Sequence, residues 1–171
     1  FGHGLFDGAV RVSLARAANY PDPNADRGHH EVTLAVRPHG TGLADVRAAA
    51  ARLNSPLRVV EGGRAPTGSR PIVTITDVDG TPEPTVEVDA VKLADDGSGD
   101  LIVRLHEAVG NRTRITVATP DRVTDAWRCN LLEEEQVGEE VGDGVVTLTL
   151  RPFQIVTLRL RRSATDDGRT R

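Results

Sequence analysis

VEVDAVKLADDGSGDLIVRLH, the stretch Val86–His106, decides the fold of this chain. Apolar residues recur along both of its ends, Val86–Leu93 and Leu101–His106, and the turn formers Gly97-Ser98-Gly99 lie between them. Apolar residues in alternation with polar ones indicate a strand with one buried face, because successive side chains point to opposite sides of a sheet. The stretch therefore predicts two strands of an antiparallel sheet.

The same pattern extends to both sides of this stretch. Val10–Leu14 and Val32–Val36 alternate cleanly, and the latter places Val32, Leu34 and Val36 on one face. The further candidate strands are Leu57–Val60, Ile72–Thr76, Arg114–Ala118, Ala126–Leu131, Val145–Leu150 and Phe153–Arg161. Turn formers separate them, namely Asp7-Gly8, Asp79-Gly80, Gly110-Asn111 and Asp143-Gly144. About ten short strands at this spacing predict a mainly β protein, an antiparallel β-sandwich.

One segment departs from the strand pattern. Residues 43–53 are rich in Ala, and Leu43, Val46, Ala50 and Leu53 share one face at helical spacing. Pro56 cannot continue a helix, so we predict one short helix near residues 43–53 that ends before it.

Composition limits the classes of partner and compartment. A chain of 171 residues is long enough for one domain with a core. Its net charge of −4, with acids and bases interspersed, predicts no nucleic-acid partner and no membrane partner. The lone Cys129 cannot form an internal disulfide, which favours a cytoplasmic location, and its strand-like surroundings predict a buried, inert thiol. Lys92 is the only lysine, which we attribute to a GC-rich genome.

The ends and one loop carry separate expectations. The chain holds no Met and begins Phe1-Gly2-His3, so we expect a fragment or processed product of a longer protein. No segment has the length of a signal peptide or a membrane span. Residues 1–162 are predicted to form one domain, with a candidate seam between strand groups near residues 61–70, and residues 163–171 to form a disordered tail.

The densest polar feature is the segment from Tyr20 to His30. Its prolines fix φ, and its Asn, Asp and Gly residues suit tight turns. One hypothesis is a rigid loop that contacts sugar hydroxyls through Tyr20, Asp22, Asp26 and His29. The alternative is a turn in which Asp26 caps backbone amides and His29 packs.

Other kinds of site find little support in the pattern. His29 and His30 are adjacent and would point to opposite faces of a strand, and we predict no metal site. No carboxylate pair suggests a catalytic dyad, and we predict no catalytic residue in this chain. Glu107 ends a strand, where we expect a structural ion pair or a bond across the sandwich. The few aromatic residues offer no stacking platform, and Trp127 and Phe153 are predicted to pack inward.

Several short sequence motifs, taken in their order along the chain, resemble motifs of the C-terminal β-sandwich region of the glycoside hydrolase family 38 α-mannosidases, in their bacterial and cytosolic branch. They are Phe1-Gly2-His3, Tyr20–Pro23 with Asp26–His30, Arg52–Leu57, Val91–Asp96 with Val103–Glu107, and Leu150–Leu158. The resemblance covers nearly the whole chain apart from its tail. It implies a galactose mutarotase-like supersandwich type of antiparallel β-sandwich.

The resemblance also implies a function. The parent would be a retaining, zinc-dependent α-mannosidase that hydrolyses terminal α-linked mannose, with zinc and the nucleophile held in another domain. This chain would be its non-catalytic C-terminal domain, would have the catalytic domain as its partner, and would act on mannosides through it. The loop Asp22–His30 is the candidate wall of the active-site cleft, and an unpaired sheet edge leaves a homo-oligomer open. Two alternatives are a free-standing carbohydrate-binding sandwich and a structural or adhesion-type sandwich.

Overall fold

The computed structural model describes residues 2–40, 42–57, 59, 61–62, 70–80 and 85–163. They divide into two compact units, Phe1–Thr41 and Gly42–Arg171. Each unit is described separately. The eleven strands and one helix counted below are those of the described residues.

The first unit contains a β-hairpin. Strands β1 (His3–Phe6) and β2 (Ala9–Val12) pair antiparallel, with His3 opposite Val12. Asp7 and Gly8 both have positive φ, at 48° and 71°, as the predicted two-residue turn requires. Strand β2 occupies the predicted position but ends two residues earlier than expected.

The predicted strand Val32–Val36 is wrong. These residues have no strand conformation, and Val36 is 94% exposed. Alternation supplies one apolar face, but a strand also needs a neighbouring strand for its backbone hydrogen bonds. Within the described residues of this unit, only β1 and β2 pair.

The second unit is an antiparallel β-sandwich. One sheet has four strands in the order β3-β6-β10-β9, and the other has five in the order β4-β5-β11-β7-β8. Their bounds are β3 Thr74–Asp77, β4 Val86–Leu93, β5 Leu101–Glu107, β6 Thr113–Ala118, β7 Val123–Cys129, β8 Glu135–Glu139, β9 Val141–Gly142, β10 Val145–Leu150 and β11 Ile155–Arg162. The predicted mainly β, antiparallel architecture is confirmed.

Strand β11 is central to the five-stranded sheet. It pairs with β5 on one side, Leu158 opposite Val103, and with β7 on the other, Leu160 opposite Ala126. The sheet edges are β4, which bulges between Val88 and Ala90, and β8. All three strands that meet in the middle of this sheet thus come from distant parts of the unit.

The core lies between the two sheets. Every second residue of β5 and β11 points inward, and Val103, Leu105, Leu158 and Leu160 have no exposed surface. The facing sheet contributes Ile115, Val117, Val146, Leu148 and Leu150. Burial of each such side chain contributes about 1.5–3 kcal/mol, so this interface is the main source of stability of the unit.

The predicted helix is confirmed. Helix α1 runs over Ala44–Asn54, and the Ser55 N–H bonds the Ala51 carbonyl at its end. An ion pair joins Arg47 to Glu87 of β4. A cavity of about 310 Å³ lies between Ala48, Ala51 and Val88 of the same two elements.

The remaining predictions concern the strand Leu57–Val60, the seam near residues 61–70 and the tail. Leu57 and Val59 are not in a strand and are exposed, so the strand Leu57–Val60 is wrong at these positions, while Arg58 and Val60 lie outside the described residues. Strands β1, β8 and β9 were not predicted. Most of the candidate seam at residues 61–70, and the tail beyond Ser163, lie outside the described residues.

In the described part of the chain, α1 is too short to cross a membrane, and no other helix is present.

Candidate functional site

The predicted polar loop folds into consecutive turns. The Ala25 N–H donates to the Asp22 carbonyl, and the Arg27 N–H donates to the Asn24 carbonyl. The Asp22 carboxylate accepts the Asn24 N–H at 2.8 Å, which is the local bond that makes Asp favourable in turns. The Tyr20–Pro21 peptide is cis. The loop is therefore organised by its own backbone and short polar side chains.

Asp26 is the structural residue of this loop. Its carboxylate accepts the N–H of Ala17 at 2.8 Å, nine residues earlier, and its carbonyl bonds the His30 ring at 2.9 Å. Its φ of 61° lies in the left-handed region that Asp tolerates better than most residues. This is the alternative in which Asp26 caps a backbone amide.

Tyr20 and His29 are exposed residues of the same loop, and Tyr20 is 88% exposed. The structure thus brings Asp22 and Asp26 into one turn system, with His30 rather than His29 against it. The packing predicted for His29 in the alternative hypothesis is wrong. The His30 contact was missed because an i, i+4 contact in a loop has no pattern in the sequence.

A second organised site lies at one end of the sandwich, around Glu107. This carboxylate is fully buried and accepts the N–H groups of Val109 at 3.1 Å, Gly110 at 2.7 Å and Phe153 at 3.0 Å. Burial raises the pKa of Glu107, but the amide donors outweigh burial and lower the pKa overall. Glu107 therefore ties the β5–β6 turn to the β10–β11 connection. The expected ion pair is wrong, and in place of the expected bond across the sandwich Glu107 bonds backbone N–H groups of two connections at one end of it.

The three bonds that Glu107 accepts from Val109, Gly110 and Phe153, called the Glu107 clamp below, place Phe153 at the surface. Phe153 has a φ of 55°, is 70% exposed, and its ring covers Gly110. A Cβ atom on Gly110 would lie 2.9 Å from Cζ of the ring, so only glycine allows this approach. The prediction that Phe153 packs inward is wrong, because Phe153 belongs to the turn before β11 rather than to the strand.

The outer face of the five-stranded sheet carries a charged network around Arg159. Its guanidinium group donates to Asp100 and Asp96 at 2.7 Å each and to the Ser98 hydroxyl at 3.0 Å. These bonds raise the pKa of Arg159. The Ser98 N–H and hydroxyl, together with Arg159, lower the pKa of Asp96 to about 2. No buried polar atom of Arg159, Asp96, Ser98 or Asp100 lacks a hydrogen-bond partner, which is typical of a structural network.

The remaining side chains singled out by the sequence also lie on this outer face. Trp127 is half-buried beneath Arg161, whose guanidinium carbon is 4.7 Å from the ring centroid, so its predicted core position is wrong. Cys129 is buried as predicted, and burial raises the pKa of its thiol. His106 bonds Asp89 at 2.9 Å.

The described ranges contain no group of side chains suited to bind a metal ion. There, no three His, Cys, Asp or Glu side chains are grouped so that they could hold a metal ion. The buried polar atoms of Arg159 and of Glu107 are bonded to groups of the chain itself. What the arrangement can do is present surfaces: an exposed polar loop in the first unit and an aromatic turn in the second.

An antiparallel sandwich with organised surface loops is typical of accessory domains in carbohydrate-active enzymes and in adhesion proteins alike. The comparisons with known proteins distinguish these classes. Residues 85–158 match the glycosyl hydrolases family 38 C-terminal beta sandwich domain. These residues comprise β4 to β10 and the first half of β11.

Two curated relatives extend the match along the chain. Alpha-mannosidase 2C1 of Mus musculus is 31% identical over 167 residues, and alpha-mannosidase 2C1 of Homo sapiens is 31% identical over 166 residues. Each match covers 94% of this chain and 16% of the relative, so the chain spans about a sixth of the length of either one. The model match at residues 85–158 and the two relatives agree with the predicted likeness to the C-terminal region of the glycosyl hydrolase family 38 proteins.

Proposed function

We propose that this chain is the non-catalytic C-terminal domain of a retaining, zinc-dependent α-mannosidase that hydrolyses terminal α-linked mannose. The observation that carries the proposal is the 31% identity to alpha-mannosidases over 94% of the chain, together with the family 38 match. Zinc and the nucleophile are assigned to another part of the polypeptide, since the donor set for zinc is not found among the described residues. No step of the reaction is assigned to a side chain of this chain.

Within this proposal, the loop Asp22–His30 is one wall of the active-site cleft, and Tyr20 precedes it as a further residue of the cleft. The turn bonds of the loop fix the backbone, so the Tyr20 ring, the second oxygen of Asp22 and the His29 ring are displayed without further ordering. Preorganised groups lose little entropy when a ligand binds. Asp26 acts in positioning, because its carboxylate holds the N–H of Ala17.

We also propose that residues 1–162 act as one functional domain. A bacterial, cytoplasmic enzyme accounts for the bias toward Arg and the lone buried Cys129. A homo-oligomer is a further proposal, for which the edge strands β4 and β8 of the five-stranded sheet and β3 and β9 of the four-stranded sheet offer surfaces.

The test uses the full-length polypeptide that contains this chain and para-nitrophenyl α-D-mannopyranoside as substrate. We expect hydrolysis with retention of configuration, loss of activity after treatment with a zinc chelator, and recovery on addition of zinc. A full-length polypeptide that is folded and zinc-loaded but hydrolyses no α-mannoside would refute the proposal.

The wall is tested with single substitutions in the same polypeptide. Tyr20→Ala and His29→Ala are each expected to raise KM about fivefold, the equivalent of one hydrogen bond of about 1 kcal/mol, and to leave zinc content unchanged. Leu57→Ala is the matched control because its side chain is almost fully exposed and lies outside the loop. Equal KM values for all three variants would show that the loop does not face the substrate.

The exposure of Tyr20 favours one alternative, a carbohydrate-binding module. It predicts saturable binding of mannose by the chain without the rest of the polypeptide, and loss of that binding in Tyr20→Ala. Titration monitored by NMR separates the two functions, because a cleft wall alone binds mannose only when the catalytic domain is present.

A further inference from the structure

The turn at the start of β11 carries a feature that the proposed function does not use. Phe153 combines a φ of 55°, which a bulky side chain seldom adopts, with a 70% exposed ring. Strained backbone of this kind persists only when the surrounding structure over-determines it, and it concentrates at functional positions. Here the surrounding structure is Glu107, whose buried carboxylate holds the Phe153 N–H.

The same clamp organises the surface next to the ring. Glu107 also accepts the N–H groups of Val109 and Gly110, and the Phe153 ring lies over Gly110. Val109 and Ile155 are exposed neighbours of the turn. The buried carboxylate of Glu107 therefore holds the backbone of Phe153, and Gly110 leaves room for the ring. Together they keep the Phe153 ring exposed to solvent.

Two arginine residues flank the turns that carry Phe153 and Gly110 in the sequence. Arg151 lies two residues before Phe153, and Arg112 follows the Gly110 turn; both are exposed. In the described part of the chain, neither guanidinium group has an ion pair or hydrogen bond, whereas Arg159, Arg128 and Arg162 have acidic partners. Aromatic residues and arginine are the side chains that most often carry binding energy at protein interfaces.

We propose that Phe153, flanked by Arg112 and Arg151, is a docking surface for an acid-rimmed apolar pocket on the remainder of the same polypeptide. The inference rests on the proposed function, in which that remainder contains the catalytic domain. Charge complementarity defines the partner: the two arginines need carboxylates, and the ring needs an apolar cavity. Each matching region of the relatives adjoins about five times its own length of further chain, which is ample surface for such a pocket.

The test compares variants of the full-length polypeptide by limited proteolysis and by activity. Phe153→Gly removes the ring and suits positive φ, so it relieves strain in the turn rather than disturbing it. Arg151→Glu reverses one charge on an exposed position. Both variants are expected to increase the rate of proteolytic separation of the sandwich at least tenfold, and the effect of Arg151→Glu is expected to shrink in high salt.

Matched controls are Leu132→Gly, an exposed apolar residue of the β7–β8 turn, and Arg70→Glu, an exposed arginine before β3. The pairing of Thr74 with Ala118 places the start of β3 at the end of the sandwich away from Thr113 and Glu107. Hydrogen exchange of the β5 and β11 amides in the same samples checks that the sandwich remains folded.

Separation rates of Phe153→Gly and Arg151→Glu equal to those of the two controls would overturn the inference. Sedimentation that shows weaker self-association in Phe153→Gly, with unchanged separation rates, would overturn it in favour of a second copy as the partner. Mannosidase activity of the unmodified polypeptide is measured independently. Its absence refutes the proposed function, whereas the proteolysis comparison tests only the docking surface.

Discussion

Replacement of Glu107 by Gln is the perturbation whose effect the structure defines most closely. The substitution keeps the size of the side chain and removes its charge, but it exchanges one acceptor oxygen for an NH₂ donor. One carboxylate oxygen accepts Val109, and the other accepts Gly110 and Phe153. When the amide oxygen replaces the oxygen that accepts Gly110 and Phe153, those two bonds are kept. The amide NH₂ group then faces the Val109 N–H, so two donors point at each other.

The magnitude follows from these three bonds. An unsatisfied buried donor costs about 1–3 kcal/mol, and the two remaining bonds lose about half of their strength when the acceptor is neutral. Removal of a buried charge offsets part of this loss. We therefore expect Glu107→Gln to lower the free energy of unfolding by about 2–3 kcal/mol at neutral pH.

The stability difference between the wild type and Glu107→Gln is also expected to depend on pH. The pKa of Glu107 in the folded chain is below its ordinary value of 4.5, so the ionised carboxylate stabilises the fold above that value. This stabilisation is lost as the pH falls through the folded pKa. The difference in stability between the wild type and Glu107→Gln is therefore expected to narrow when the pH is lowered from about 7 to about 3.

Urea denaturation, followed by circular dichroism and by the fluorescence of Trp127, measures this difference at both pH values. Glu140→Gln removes the same charge at an exposed position and serves as the control. The reasoning is refuted if Glu107→Gln matches Glu140→Gln at neutral pH, or if its deficit is as large at low pH as at neutral pH.

Two further predictions concern the outer network and the aromatic turn. The Asp96 carboxyl is expected to titrate with a pKa of about 2 in carbon-detected NMR, because Ser98 and Arg159 donate hydrogen bonds to it. Arg159→Met should raise this pKa only part of the way to its ordinary value, since the bonds from Ser98 remain. An unchanged pKa in Arg159→Met would exclude any contribution from Arg159. Gly110→Ala is expected to destabilise the chain by about 1–3 kcal/mol, because its φ is positive and the new Cβ meets the Phe153 ring. In a double-mutant cycle by urea denaturation, Phe153→Ala should recover at least about 0.5 kcal/mol of this loss; strictly additive effects would show that the ring is not the obstacle.

The sandwich could be predicted from the sequence because its strands combine alternation with turn formers. Val86–Leu93 and Val145–Leu150 were predicted to the residue, since their partners β5 and β6 lie within the same unit. Val32–Val36 has an equally clean pattern and forms no strand. The pattern records which face is apolar, and it carries no information about whether a partner strand is available.

The errors at Trp127 and Phe153 have different physical origins. Trp127 follows the inward-pointing Ala126, so the period of two already places it on the outer face, and its aromatic character was given too much weight. Phe153 depends on a buried Glu107 that lies 46 residues away in the chain. No local pattern reveals that contact. Of the candidate loop residues, the sequence could identify turn formers but not the Asp26 bond to Ala17.

The central position of β11 has a consequence for the order in which this unit assembles during synthesis. The β4–β5 hairpin is complete once residue 107 has left the ribosome, and β7 and β8 follow by residue 139, yet the two hairpins share no hydrogen-bonded edge until residues 155–162 emerge and join them. Until then each hairpin exposes an open apolar edge, which invites pairing with other chains. A nascent chain whose residues up to 139, but not 155–162, have left the ribosome therefore exposes two unpaired strand edges, and the emergence of β11 closes both.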